Sequence, residues 1–95
     1  TNEERAIELT KESHALGGYE PVTEKIKTLL KERKGNLQIS GWKAEKQDNQ
    51  TYLVSYTFDN GDGVIGVYFE VNLVAEIVRN VKDDPELKKK YNFEQ

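Results

Sequence analysis

"YTFDNGDGVIGVYFEV", residues 56–71, sets an acidic, glycine-rich pentapeptide, Asp59-Asn60-Gly61-Asp62-Gly63, between two apolar runs. It can be a calcium loop or the bend of a hairpin, and the choice decides the fold. In the run before it, Tyr52, Val54, Tyr56 and Phe58 share one face of a strand, with Leu53, Ser55 and Thr57 on the other. In the run after it, Ile65, Val67, Phe69 and Val71 face one way and Gly66, Tyr68, Glu70 and Asn72 the other. Side chains alternate across a strand, so a half-buried sheet needs both apolar sets on one side. A two-residue loop at Asn60-Gly61 meets that need: Asp59 pairs with Asp62, Tyr56 with Ile65, Val54 with Val67, and Tyr52 with Phe69. Asn-Gly also tolerates the positive φ of a type I′ turn. A five-residue loop would set Tyr56 against Gly66 and split the apolar faces.

The calcium reading fails on spacing. An EF-hand loop needs oxygen ligands at positions 1, 3 and 5, glycine at 6 and glutamate at 12. Counting from Asp59 puts Glu70 at the last position, but Gly61 and Gly63 fall on ligand positions and Val64 on the glycine. Asp59 and Asp62 alone leave most of the ligand shell to water. No metal and no cofactor are expected.

Outward from the hairpin, the period-two pattern extends over 38–47, 51–58, 64–72 and 76–82, four strands joined by short turns. Short connections make them antiparallel neighbours in chain order. Ahead of them, Ala6, Leu9, Ser13 and Leu16 predict a helix over 1–16, with Thr1 and Glu4 as a capping box and Gly17-Gly18 as its stop. Pro21 suits a first helical residue, and Val22, Ile26, Leu29 and Leu30 predict a helix over 21–34, ended by Gly35. Asp84-Pro85 opens a last helical turn with Leu87 and Tyr91 four apart. The fold class is α+β: one domain over 1–95, two N-terminal helices on one face of a four-stranded antiparallel meander. Its expected core is Ile26, Leu29, Leu30, Val54, Tyr56, Val67, Phe69 and Val71.

Composition narrows the chemistry. The chain has 95 residues, 33% of them charged, a net charge of −3 and no cysteine, which excludes disulfides, thiolate metal sites and a cysteine nucleophile. His14 is the only histidine; its neighbour Ser13 points elsewhere on a helix, and no His-x-x-x-His pair exists. Lys31-Glu32-Arg33-Lys34 and Lys88-Lys89-Lys90 lie in final helical turns, where cations complement the helix dipole. Trp42, Tyr52, Tyr56 and Tyr68 sit in an acidic sheet segment, whereas base-stacking platforms sit in positive grooves, so nucleic acid is not an expected partner. No run approaches the ~18 apolar residues of a membrane span. The chain starts at Thr1 and lacks methionine, so a processed or excised form is expected.

"WKAEKQDNQTYLVSYTFDNGDGVIGVYFEVNLVAEIVRNV", residues 42–81, is similar to the PepSY-type pattern W-x-A/V…Y-x-V…Y-x-F-E-V-x-L-x-x-G-x-V, in a resemblance extending to Tyr91. That group overlaps in shape with cystatin-like α+β domains. Val74-Ala75 stand where the pattern has Thr-Gly, and the cystatin inhibitory loop Gln-x-Val-x-Gly is absent. The resemblance implies a non-catalytic, extracytoplasmic binding or regulatory module with no active-site residues to carry over. The expectation is therefore a monomeric protein- or peptide-binding module acting through an exposed sheet face, an edge strand or the 59–63 loop. Asp59, Asn60, Asp62, Tyr68, Val74 and Ala75 are the candidate surface. The alternatives are a small-ligand pocket or enzyme around Trp42 and Tyr56, and a structural domain of a longer protein.

Overall fold

A computed structural model describes residues 1–93. Helices α1 (Asn2–Glu12) and α2 (Val22–Glu32) precede strands β1 (Gln38–Lys46), β2 (Thr51–Asp59), β3 (Val64–Asn72) and β4 (Ile77–Asn80). A 3-10 turn (Val81–Asp83) and a short helix α3 (Pro85–Lys90) follow. The strands form one antiparallel sheet in the order β1-β2-β3-β4, the meander expected from the short connections. The arrangement is α+β.

The β2–β3 hairpin brings the apolar sets onto one face in a register two residues from the expected one. Asp59 pairs with Val64, Tyr56 with Val67, Val54 with Phe69 and Tyr52 with Val71. The loop therefore holds four residues, Asn60 to Gly63, and Asn60 does not take the left-handed backbone that a type I′ turn requires. Side chains set this length. Asp59 Oδ1 accepts from Gly61 N at 2.7 Å, and Asn60 Oδ1 accepts from Asp62 N at 2.9 Å. Gly61 (φ 95°) and Gly63 (φ 146°) supply the conformations that other residues avoid.

The core lies between the helices and that face. Ala6, Val22, Ile26, Tyr52, Val54, Phe69, Val71 and Leu73 form one buried cluster, with Leu9, Leu30, Trp42, Tyr56, Val67 and Val78 packed around it. Ala6 is small enough to bring α1 close to the sheet, and Thr10 is buried because its hydroxyl donates to Ala6 O at 2.9 Å. Leu29, expected in the core, instead lines an open concavity with Lys25, Thr28 and Glu32. The four-residue spacing of Val22, Ile26 and Leu30 wins the inward face and turns Leu29 aside.

Several boundaries differ from expectation, those at Ser13 and Asn80 through side-chain caps. The capping box at Thr1 and Glu4 forms. At its other end α1 stops at Glu12, short of the expected residue 16, where the Ser13 hydroxyl donates to Thr10 O at 2.8 Å. Pro21 stands just outside α2 as its N-cap. β4 ends at Asn80, whose Oδ1 accepts from Lys82 N at 3.1 Å and turns the chain into the 3-10 segment.

In the β3–β4 turn, Asn72 pairs with Ile77, and Asn72 Oδ1 accepts from both Val74 N and Ala75 N at 2.9 Å. The turn is longer than a tight hairpin, and the left-handed residue is Glu76, at φ 56°, not Ala75. Glu76→Gly should therefore stabilise the fold by up to about 1 kcal/mol, since glycine meets no steric penalty there. Ala75→Gly should be neutral or slightly destabilising through added unfolded-state entropy. Urea unfolding of the two variants checks the assignment; a gain from Ala75→Gly would reverse it.

Candidate functional site

The six residues singled out from sequence fall in three places. Asp59, Asn60 and Asp62 form the β2–β3 turn at one end of the sheet, with the Asp59 and Asn60 side chains accepting turn hydrogen bonds. Val74 and Ala75 form the β3–β4 turn at the other end of β3, roughly 25–30 Å away along a nine-residue strand. Tyr68 lies between them on the face opposite the helices. Its ring packs on Phe93 at 4.5 Å and under the Lys82 ammonium at 5.2 Å. Gly66 makes room for it, because a Cβ there would lie 2.9 Å from the tyrosine oxygen. These residues do not converge on one surface.

What covers Tyr68 is the C-terminal segment. Asp84 caps α3, its Oδ1 accepting from Glu86 N and Leu87 N, and Pro85 follows as the first helical residue. The helix closes with Asn92 at φ 61°, Asn92 N donating to Lys89 O and Phe93 N to Lys88 O. This Schellman arrangement aims Phe93 back at the sheet. Beside it Glu70, only 9% exposed, accepts from Arg79 Nη2 at 3.0 Å, Lys90 Nζ at 2.7 Å and Tyr91 Oη at 2.6 Å. Burial pushes the Glu70 carboxyl up, but the three donors outweigh it and hold the carboxyl below its ordinary value. Burial, with the Glu70 charge, raises the Tyr91 phenol. Both carboxylate oxygens accept from these donors, so Glu70 clasps β3 to β4 and to the C-terminal segment.

The surface concavities include one of about 220 Å³ lined by Glu70, Asn72, Ile77 and Arg79. Another of about 420 Å³ lies between the end of α1 and β4, lined by Leu9, Glu12, His14, Glu76 and Val78 among others. His14 is exposed there, with Nδ1 3.4 Å from Gly18 O and no carboxylate among the described residues orienting it. Trp42 and Tyr56, the centre of the pocket alternative, pack edge to face at 5.2 Å with Lys11 above the indole. Among the described residues no three His, Cys, Asp or Glu side chains are grouped to hold a metal ion. No helix among them is long and apolar enough to cross a membrane.

The remaining feature is backbone. Among the described residues β1 has a strand neighbour on one side only. Gln47 N donates to Thr51 O at 2.8 Å, which sets the phase of the β1–β2 ladder. By antiparallel alternation, Glu45, Lys43 and Gly41 exchange bonds with Leu53, Ser55 and Thr57, while the N–H and C=O of Trp42, Ala44 and Lys46 point away from the sheet. A bulge between Ile39 and Gly41 bends the strand before this stretch. The opposite edge is closed differently. β4 is only four residues long, and Lys82 Nζ donates to Gly66 O at 2.9 Å where β3 runs past it.

Sequence reading placed an interaction at an edge strand in general terms but did not single out 42–46. The first strand of a meander is an edge by topology, which was the available signal. For Glu70 it was a lone carboxylate between Phe69 and Val71. No family model, curated protein or solved structure matches the chain, so the architecture stands as a helix-backed α+β sheet with a free edge.

Proposed function

We propose that this chain is a non-catalytic binding module that takes an extended polypeptide segment along the free edge of β1. The observation that carries the reading is the row of outward backbone groups at Trp42, Ala44 and Lys46 in a regular, helix-backed strand. An added strand gains affinity from such main-chain groups and specificity from alternate side chains. The reading accords with the PepSY-type resemblance expected from sequence, a non-catalytic group, and with the clasped state of Glu70.

Lys46→Pro tests the reading, because it removes an outward N–H without removing a ladder bond. Peptides of about twelve residues, selected from a random display library against the wild type, should bind Lys46→Pro at least about tenfold more weakly. The thermal midpoint of that variant should stay close to the wild type's. Selected peptides that bind both proteins equally would remove β1 as the site.

A further inference from the structure

We infer that the strand which joins β1 is the β1 of a second copy of this chain, the two meeting antiparallel about a two-fold axis at Ala44. The inference rests on the strand-addition reading and names its partner, in place of the monomer expected from sequence.

Its basis is the stretch Trp42-Lys43-Ala44-Glu45-Lys46, which is complementary to itself. Only Trp42, Ala44 and Lys46 carry outward N–H and C=O groups, so antiparallel joining must set these positions opposite one another. With Ala44 against Ala44, Lys43 faces Glu45 of the second copy and Glu45 faces Lys43 of the second copy. Trp42 then lies opposite Lys46 of the second copy, whose alkyl stem covers the indole edge. Each neighbouring register that the outward groups allow is penalised. Sliding two residues one way sets Lys43 against Lys43, and the other way sets Glu45 against Glu45. Like charges directly opposite destabilise a strand pair, and opposite charges stabilise it.

The surroundings permit the join. Lys43 and Glu45 side chains are 69% and 55% exposed, and their present partner is each other along the same strand at 3.4 Å. A two-fold axis normal to the sheet keeps both helical layers on one face. The C-terminal clasp sits over β3, two strands from the new seam. Lys11, 6.0 Å from the Trp42 ring that an arriving Lys46 would cover, is paired with Glu8 at 3.3 Å. The bulge at Ile39–Gly41 and the turn after Lys46 limit the seam to about five residues a side, so the association should be weak and salt-sensitive.

Sedimentation velocity of the whole chain over a wide concentration range, at low and high salt, reads the result. Wild type should associate as a dimer. Lys43→Glu and Glu45→Lys, each alone, should raise the dimer dissociation constant at least about tenfold. Mixed in equal amounts, these two variants should dimerise with each other, because their edges are then complementary in the same register. A wild type that stays monomeric, a dimer unmoved by Lys43→Glu, or a mixture that fails to associate overturns the inference. If the wild type is monomeric while peptide binding sensitive to Lys46→Pro persists, strand addition stands and only the identity of the partner falls. Loss of both removes β1 as an interface.

Discussion

Phe69→Ala is expected to destabilise the domain by about 3–5 kcal/mol, the cost of deleting a buried aromatic ring and leaving a cavity. Phe69 is fully buried in β3, paired with Val54 on one side and Asn80 on the other, with α1 and α2 closing over the same cluster. Ala6 packs without spare side-chain volume, and Val22 and Ile26 are held by their helix, so no neighbour can swing in to fill the space. A domain of this size holds only about 5–15 kcal/mol in total. The variant should therefore unfold at much lower urea, with the slope of the transition unchanged. A loss below about 1 kcal/mol would place the ring outside the core, in conflict with its burial.

That this face is the core could be read from the chain, because burial leaves a period-two mark on composition. Tyr52, Val54 and Tyr56 fall on alternate positions, as Val67, Phe69 and Val71 do, and β3 runs over Val64–Asn72 as expected. The hairpin register could not be read from the same mark. A slip of two residues keeps every side chain on its face, so the apolar pattern is blind to it. The choice fell to Asp59 Oδ1 and Asn60 Oδ1, whose bonds to Gly61 and Asp62 hold a four-residue loop. The end of α1 was hidden for a similar reason, since the Ser13 hydroxyl competes with the next helical turn. The outward phase of β1 depends on one bond, Gln47 to Thr51, and phase leaves no trace in composition. The partners of Glu70 lie 9, 20 and 21 residues along the chain, beyond the reach of any local pattern.

Glu70→Ala should cost about 1.5–3 kcal/mol, from the loss of charge-assisted hydrogen bonds at a mostly buried carboxylate. The figure is held down because Arg79 and Lys90 are about half exposed and recover water when their partner goes. Arg79 also keeps Asp84 at 3.4 Å. The pH dependence separates this clasp from simple packing. A carboxyl whose folded pKa is depressed stabilises the fold above its unfolded value, 4.5 here, and that stability drains as the pH falls below it. Tyr91 works in the opposite sense. Its phenol is raised from 10.0 in the folded state, so its contribution is complete below pH 10.0 and is lost as the pH climbs above that. Glu70→Gln should flatten the acid limb of the stability profile, and Tyr91→Phe the alkaline limb. Both should leave the exchange of β2 amides unchanged near neutral pH while exchange rises across residues 85–93, which the clasp holds against Tyr68. An acid limb as steep in Glu70→Gln as in the wild type would mean that the clasp does not form in solution. Tyr68 and the rest of that face would then be open, and the C-terminal segment would not define which side of the sheet is available to a partner.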